Sequence, residues 1–593
     1  ALWSRRPRGE PVTAEDLVTA KEEPIAAMEP TAQGERRDTE DRGHRGGHVP
    51  AVPKETAESG RGAGAEKDDR PAEPQRQAAA DAHPTVEDRG EAQDLREAAA
   101  HGVRWSAIAR PTVEILQLGS IVVLARLIVP AEFGRYAIAL IAQEVAYLMV
   151  AGGLSSALVQ RKTIDREHQQ TGMALGVIAG LALAVITLLA ASVIVAPIFG
   201  ERTAFFVRLM APLCLVSALS TVPTATLRRR MAFRRLSEIE VLSTVARVAV
   251  CIGLALVGLS GEALVLGVLA GSLSFAFMAW VSAPPPAPRL HRRAARELLD
   301  YGLPVSLASV SWIGFSNVDY AIIGARLGAL ETGFYFRAYT LAVEYQSKIS
   351  VVMSQVGFPV LARTRSAAEL NQLYRQMVRT LTILLFPLLV LLSITAPVLV
   401  PFLFGARWEP AIVPVQILAL GGASTLVVDA VGTVFMATGR ARALLGYGIA
   451  HFVVYGLTVL VVVRFGIVVV AIDAAVVHTL FLIVAYVMML SGTGERPLAR
   501  LVRDLAPATV SCVGMAIVAL PVSLALTAIG APAILWLFAV GLVAIPPYLL
   551  TLCLGFPESW RSQRSIIARI VPGSRRLSRI GRRLTALRVR FSG

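Results

Sequence analysis

Charged and polar side chains recur at helical spacing inside apolar stretches of the sequence, where charge is costly and functional sites are common. Arg110, Glu114 and Gln117 follow one another at intervals of four and three residues, which places them on one face of a helix. A second apolar stretch carries a polar face that we assign to Ser306, Ser309, Ser316 and Asp319, with Asn317 beside it. Such faces could line a water-filled cavity that binds a polar or charged ligand.

Two further apolar stretches carry charge. Arg337, Glu344 and Lys348 share one helical face, and Glu144 lies in an earlier stretch. We predict that the four stretches line one hydrophilic cavity. Its candidate substrate-binding residues are Arg110, Glu114, Gln117, Glu144, Asn317, Asp319, Arg337, Glu344 and Lys348.

The alternative is that these charges neutralise one another along their own helices and that no cavity exists. Arg110 with Glu114, and Glu344 with Lys348, have the i,i+4 spacing of helical ion pairs. The cavity is favoured because the polar faces fall on corresponding helices of an internal repeat. Isolated charges elsewhere are predicted to have no role in the cavity: Arg247, Asp429 and Asp473.

Motifs for enzymatic chemistry or cofactors do not occur in the sequence. It contains no GxxxxGK[ST] loop for ATP, no HExxH and no GxSxG. Its four cysteines lie far apart in apolar stretches without a CxxC pair, so neither a zinc site nor a disulfide framework is indicated. We therefore predict no catalytic residue, no metal and no cofactor.

The elements that must position the polar faces are apolar runs of about 20 residues, each long enough to cross a bilayer as a helix. The 593 residues are 54% hydrophobic and 17% charged. Because the runs are continuous and not alternating, helices are favoured over a β-barrel. We predict an all-α membrane protein of about 14 transmembrane helices, near 105–127, 136–158, 172–197, 204–226, 239–258, 263–282, 302–327, 334–360, 380–403, 411–436, 444–463, 467–490, 505–529 and 532–554.

Charge is distributed unevenly along the chain. Residues 1–100 hold 22 acidic and 15 basic residues and almost no aromatic ones, so we predict a disordered cytoplasmic tail. The remaining residues carry a net charge of +22. Counted by loop and C-terminal tail, 31 basic residues fall on one side of the predicted helices and four arginines on the other. This asymmetry places both termini in the cytoplasm. Since the basic residues are dispersed at helix ends, nucleic-acid binding is not predicted.

Two pairs of segments repeat at a spacing of about 200 residues. The sequence ARLIVPAEFGRY at 125–136 resembles ARLGALETGFY at 325–335. Likewise, the sequence FGER at 199–202 resembles FGAR at 404–407. The pairs predict two six-helix lobes related by a pseudo-twofold along the membrane normal. The predicted divisions are a tail (1–100), an N-lobe (101–283), a cytoplasmic linker (284–300), a C-lobe (301–490), helices 13 and 14 (491–555) and a basic cytoplasmic tail (556–593).

The last part of the C-terminal tail has an apolar stripe between arginines, formed by Leu577, Ile580, Leu584 and Leu587. The spacing is typical of a basic amphipathic helix on an anionic membrane surface. A frayed, solvated tail is the alternative for its last ten residues.

Several motifs resemble the Wzx-type polysaccharide-biosynthesis flippases, which belong to a superfamily with the lipid II flippase and the multidrug and toxin extruders. They are GxxWS from Gly102 to Ser106, ARLIVPAEFGRYA at 125–137, ALVQRK at 157–162, PTATLRRRMAFR at 223–234, YGLP at 301–304 and NVDYAIIGARLGA at 317–329. The resemblance covers residues 101–490 well. The last two helices match in general character only.

The resemblance implies a flippase that moves an undecaprenyl-pyrophosphate-linked oligosaccharide across the bacterial inner membrane, with contacts to membrane lipids and to polysaccharide polymerase or export machinery. Because the sequence has no ATP motif, the driving force is expected to be an ion gradient, with H+ or Na+ as coupling ion, the membrane potential or consumption of the flipped product. In similar proteins cations in the cavity meet the anionic head group. The matching residues here are Arg110, Arg126, Arg326 and Lys348. For Arg126 and Arg326, snorkelling at helix ends is an alternative.

Two other functions are compatible with many membrane helices. A multidrug or cation antiporter shares the lobes, but an acidic, aromatic cavity would be expected. A polymerase or ligase of the same pathway would need a large external loop, whereas the external loops here have about ten residues or fewer. The sequence therefore favours the flippase.

Overall fold

The computed structural model describes residues 105, 109–149, 153–161, 163–344, 367–437, 440–490 and 496–570. Expectations for residues 1–100, for Ser106 and Lys348, and for the stripe from Leu577 to Leu587 lie outside the described residues. The side chains of Ser309, Ser316 and Asp429 are likewise not described.

The described residues are helices joined by short turns, without a strand. The first seven helices are α1 (109–127), α2 (Pro130–Tyr147), α3 (Gly153–Gln160), α4 (Arg166–Ala190), α5 (Glu201–Met210), α6 (Pro212–Arg229) and α7 (Phe233–Leu256). The next five are α8 (Gly261–Ser282), α9 (Arg292–Arg326), α10 (Ala329–Tyr339), α11 (Ala367–Phe404) and α12 (Ile412–Ala437). The last five are α13 (Ala441–Val462), α14 (Ile467–Leu490), α15 (Pro497–Ala528), α16 (Ala533–Gly555) and α17 (Pro557–Ile570).

The predicted all-α membrane fold is confirmed. Nine helices of the described ranges are long and apolar enough to cross a membrane, and the predicted count of about 14 is consistent with the fold. Several helices extend beyond the predicted spans. Helix α9 has 35 residues, about 52 Å at 1.5 Å per residue, whereas the hydrocarbon layer is about 30 Å thick.

Close helix packing relies on small residues, as is typical where no hydrophobic driving force acts between helices in lipid. A Cβ on Gly421 of α12 would meet Ala475 of α14, and one on Gly514 of α15 would meet Thr551 of α16. Large apolar side chains on the outward surface remain exposed, including Phe277 on α8 and Phe538 on α16. Exposed apolar surface of this kind is suited to contact with lipid.

The start of α9 packs against helices of the N-lobe. Leu298 is fully buried in a cluster with Leu158 of α3 and Met173 of α4. Just before α9, the backbone N–H of His291 donates to Thr171 Oγ1 at 3.2 Å. Residues 292–300, which the sequence analysis assigns to the linker, therefore form helical turns that rest on the N-lobe.

Candidate functional site

The two lobes meet through the first turns of α2 and α10. A Cβ on Gly134 would collide with the carbonyl oxygen of Ala329, and a Cβ on Gly333 would collide with the carbonyl oxygen of Pro130. The two contacts are reciprocal because both segments belong to the internal repeat. Only glycine allows the two backbones to approach this closely. We call this region the Pro130 end of the lobe interface.

Aromatic side chains surround this contact. The Trp408 side chain is fully buried, and its ring lies edge-on to Phe133 of α2, Phe334 of α10 and Phe404 of α11, with centroid distances of 5.4, 6.0 and 5.8 Å. Edge-to-face pairs at such distances are favourable. The Pro130 end is therefore sealed by aromatic residues of both lobes.

Arg126, a predicted head-group contact, lies at the same end. Its Nε donates to the carbonyl oxygen of Leu403 at 3.0 Å, and its Nη2 donates to that of Phe402. Both carbonyls belong to the last turn of α11, where backbone acceptors lack helical partners. In this arrangement Arg126 caps α11. The other predicted head-group contact at a helix end, Arg326, is exposed.

The lobes also meet at the opposite end, which we call the Gly153 end. A Cβ on Gly153 of α3 would collide with the carbonyl oxygen of Gly302 in α9. Ser306 Oγ donates to the carbonyl oxygen of Met149 at 2.8 Å, and Tyr301 Oη donates to Gln160 Oε1 at 2.5 Å. Within the described ranges, α9 thus contacts the N-lobe along its first four turns.

Glu297 adds an ionic contact at this end. Its carboxylate lies 2.7 Å from Arg161 and 3.1 Å from His168, both in the N-lobe, and 3.1 Å from Arg293 of its own helix. Glu297 lies beyond the apolar part of α9. The hydrogen bonds from His168, Arg161 and Arg293 lower the pKa of its carboxyl to about 2. The group is therefore ionised at neutral pH.

Between the two ends, polar groups from both lobes face each other. Asn317 Nδ2 of α9 donates to Glu144 Oε2 of α2 at 3.3 Å. Arg337 of α10 is almost fully buried, and its guanidinium lies 4.1 Å from the ring centroid of Phe133 in α2. A cation–π contact of this geometry stabilises a charge that has little water around it. Three predicted residues, Glu144, Asn317 and Arg337, thus lie at the lobe interface.

Asp319 is placed inside the C-lobe. It is buried, and Oδ2 accepts hydrogen bonds from Tyr335 of α10 and Tyr455 of α13, each at 3.1 Å. The His451 ring stacks on the Tyr455 ring, and the His478 ring lies tilted beside it. Within the described ranges Asp319 forms no ion pair. Its carboxylate is instead held by hydroxyl groups from two neighbouring helices.

The remaining predicted residues are less closely grouped. On α1, Arg110 is exposed, whereas Glu114 and Gln117 are half-buried. Glu344 is half-buried in the π-helical turn that follows α10. Lys348 lies outside the described residues. No group of three or more metal-ligating side chains that could hold an ion occurs in the described ranges.

Several residues at or near these contacts were not among the predicted site residues. Tyr335 corresponds to Tyr136 in the repeat, and Tyr136 Oη accepts a hydrogen bond from Arg247 at 3.1 Å. The repeat itself was the signal that could have identified both tyrosines. Trp408 had no such signal, because the N-lobe segment that corresponds to its loop has Thr203 at this position.

A buried ionic cluster joins α11 to α15. Asp504 lies 2.9 Å from Arg500 and 3.3 Å from Arg379, and it is fully buried. Both arginines lie outside the predicted spans 380–403 and 505–529. In the structure they lie within helices, and Arg500 is buried.

Comparison with known proteins agrees with this architecture. Residues 123–413 match a family described as polysaccharide biosynthesis protein. The chain is 24% identical over 373 residues to the teichuronic acid biosynthesis protein TuaB of Bacillus subtilis, covering 62% of this chain and 76% of TuaB. It is 25% identical over 350 residues to the lipopolysaccharide biosynthesis protein WzxC of Escherichia coli, covering 58% and 71% of the two chains.

The fold is similar to that of the lipid II flippase MurJ in an inward closed conformation. The TM-score is 0.64 at 14% sequence identity, over 77% of this chain and 99% of MurJ. Family and fold together confirm the prediction of a multi-pass membrane transporter that is not an enzyme. The family match covers residues 123–413, and over this part the chain is similar to the polysaccharide biosynthesis proteins.

Proposed function

We propose that this protein flips an undecaprenyl-pyrophosphate-linked oligosaccharide from the inner to the outer leaflet of a bacterial cytoplasmic membrane. The supporting observation is the pair of lobe contacts at opposite ends of one interface, with Glu144, Asn317 and Arg337 between them. Contacts at two ends are what alternating access requires, since each end must open in turn. TuaB and WzxC are named for teichuronic acid and lipopolysaccharide biosynthesis, and MurJ is named a lipid II flippase.

In this proposal the Pro130 end faces the outside and the Gly153 end faces the cytoplasm. Both termini are cytoplasmic, and contacts with the polymerase or export machinery of the same pathway follow the translocation step. The orientation is supported by the basic residues Arg228, Arg229 and Arg230, which are near the Gly153 end because Arg229 donates to the carbonyl oxygen of Leu158.

The pyrophosphate head group is bound by cations. Arg337 is the cation that the structure buries at the lobe interface, and Arg110 and Lys348 are further candidates, with Glu114 and Glu344 beside them. In the closed arrangement the guanidinium of Arg337 lies on the Phe133 ring. When the Gly153 end opens, a phosphate can reach the guanidinium from that side, and a charge-assisted hydrogen bond to it adds to the cation–π contact with Phe133, which stays in place while the Pro130 end is closed.

The energy for transport comes from a gradient of H+ or Na+. Asp319 is the group we assign to the coupling cation. Its carboxylate lies at the junction of α9, α10 and α13, where Oδ2 accepts two hydroxyl groups and Oδ1 accepts the backbone N–H of Tyr320. Binding of a cation there compensates a buried negative charge. It would change the packing of α9, the helix that contacts both lobes.

The proposal is tested with purified protein in proteoliposomes that contain a lipid-linked oligosaccharide. Access of an external glycosidase to the sugar reports the leaflet. Arg337→Gln should reduce flipping by about tenfold or more, the effect of losing one charge-assisted hydrogen bond. Arg337→Lys should retain part of the activity.

The matched control is Arg464→Gln, which removes an exposed arginine from the same lobe. Flipping by this variant should equal that of the wild type. If wild-type protein moves no lipid-linked oligosaccharide above the rate of empty liposomes under an ion gradient, the proposed function is wrong. If Arg337→Gln flips normally, the role of Arg337 is wrong.

A further inference from the structure

Trp408 connects the two lobes through a hydrogen bond as well as through ring contacts. Its indole Nε1 donates to the carbonyl oxygen of Ala125 at 2.9 Å. Ala125 belongs to the last turn of α1, where backbone acceptors lack helical partners. The C-lobe therefore caps a helix of the N-lobe at the Pro130 end.

The cap is reciprocal. Arg126, the residue after Ala125, donates to the carbonyl oxygens of Leu403 and Phe402 at the end of α11. The C-terminal ends of α1 and α11 thus lie against each other. Arg126 of α1 donates to terminal carbonyls of α11, and Trp408, which follows α11, donates to a terminal carbonyl of α1. Separation of the lobes at the Pro130 end must break both sets of hydrogen bonds.

The equivalent loop of the N-lobe has no such feature. Gly200 and Gly405 occupy corresponding positions and both have positive φ, 85° and 95°, so the two loops turn in the same way. Where the C-lobe has Trp408, the N-lobe has Thr203, whose hydroxyl donates to the carbonyl oxygen of Phe199 in its own loop at 2.8 Å. The indole that crosses the interface at this position is therefore specific to one lobe.

The aromatic rings that surround Trp408 come from both lobes. Phe133 comes from the N-lobe, whereas Phe334 and Phe404 come from the C-lobe. A rotation that separates α2 from α10 moves Phe133 away from the Trp408 ring and moves the carbonyl oxygen of Ala125 away from the indole N–H. Trp408 therefore links the two lobes only while its contacts with Phe133 and Ala125 are made.

From this geometry we infer that Trp408 is the plug of the lobe interface at the Pro130 end, and that release of its indole from Ala125 and Phe133 is the step that opens this end. The inference rests on the proposed alternating access. It assigns the opening of the Pro130 end to the side chain of Trp408, which covers the glycine contact between α2 and α10.

The test measures opening directly, without a transport substrate. Thr332, fully buried beside Gly333 at the start of α10, is replaced by cysteine in a chain that lacks Cys214, Cys251, Cys512 and Cys553. The rate of reaction with a membrane-impermeant maleimide then reports how often the Pro130 end is open. Trp408→Phe retains an aromatic ring and removes the N–H donor. It should raise this rate by about fivefold, the change expected from losing one neutral hydrogen bond.

Trp408→Ala, which removes the ring as well, should raise the labelling rate further. The control is Trp280→Phe, because Trp280 Nε1 also donates to a backbone carbonyl, that of Leu219 at 2.7 Å, but within the N-lobe. This variant should label at the wild-type rate. If Trp408→Phe labels no faster than the wild type, or if Trp280→Phe accelerates labelling equally, Trp408 does not control the opening of the Pro130 end. Failure of the proposed function would appear instead as absent flipping in proteoliposomes, and the labelling result would stand.

Discussion

At the scale of single residues, helical geometry explains which predicted side chains share a face and which do not. A helix turns by about 100° per residue, so Asn317 returns to the face of Ser306 after 11 residues, whereas Asp319 lies about 200° beyond Asn317. In the structure Ser306 and Asn317 both contact the N-lobe, and Asp319 contacts the C-lobe interior. The assignment of Ser306 and Asp319 to one face neglected this rotation over 13 residues.

Replacement of Asp319 by Asn should uncouple transport while the protein still folds. The amide keeps the size of the side chain and its hydrogen bonds to Tyr335 and Tyr455, but it removes the negative charge that binds a cation. We expect flipping in proteoliposomes to lose its dependence on the imposed gradient. Measurements with a pH gradient and with a sodium gradient identify the ion, since only one should drive the wild type.

Asp473→Asn is the matched control for this variant. Asp473 is another acid within the C-lobe, and it accepts a hydrogen bond from Thr458 at 2.9 Å. Gradient-driven flipping by this variant should remain at the wild-type level. Equal effects of the two substitutions would contradict the assignment of the coupling cation to Asp319.

At the scale of elements, hydropathy located the apolar part of each helix and missed the polar extensions. The predicted span 302–327 begins ten residues after the observed start of α9 at Arg292. The omitted turns carry exposed arginines on one side and the buried Leu298 on the other. An amphipathic extension of this kind has no apolar run to detect, and its partner, the surface of the N-lobe, is distant in sequence.

The first turns of α9 should control the Gly153 end. Glu297→Gln removes the charge that holds Arg161 and His168, so the interface should open more often. We expect faster maleimide labelling of a cysteine at Ala157, which is buried beside Leu298 in the same cluster. Inside-out vesicles of a chain without native cysteines provide the measurement.

A matched control and a pH series accompany this variant. Glu238→Gln breaks ion pairs with Arg234 and Arg235 within the N-lobe and should leave labelling unchanged. Because the pKa of Glu297 is lowered to about 2, its ionic contacts are fully present above about pH 4.3 and are lost as the pH falls through 2. Labelling that rises equally in both variants would show that the Gly153 end does not depend on Glu297.

At the scale of the whole molecule, the internal repeat anticipated the contact between the lobes. Residues on a pseudo-twofold axis meet their own counterparts, which is why Gly134 and Gly333, at corresponding positions of the repeated segments, pack in reciprocal fashion. The repeat could not reveal Trp408, since that residue departs from it. Nor could it reveal the cluster of Asp504 with Arg379, which joins a repeated helix to one outside the repeat.

The orientation of the bundle gives a prediction that involves every helix. Arginine-rich loops are retained in the cytoplasm during insertion, so the turns between α7 and α8, between α13 and α14 and between α15 and α16 should face outward. Val257, Phe465 and Ile529 occupy these turns and are 82%, 61% and 76% exposed. Single cysteines at these three positions should react with an impermeant maleimide in intact cells. Cysteines that replace the exposed Arg230 and Arg496 should react only after the membrane is permeabilised. Adjacent loops must alternate between the two sides of the membrane, so a single cysteine that labels from the wrong side would show that the number of helices predicted before it is wrong. Reversed labelling at all five positions would show that the protein has the opposite orientation in the membrane.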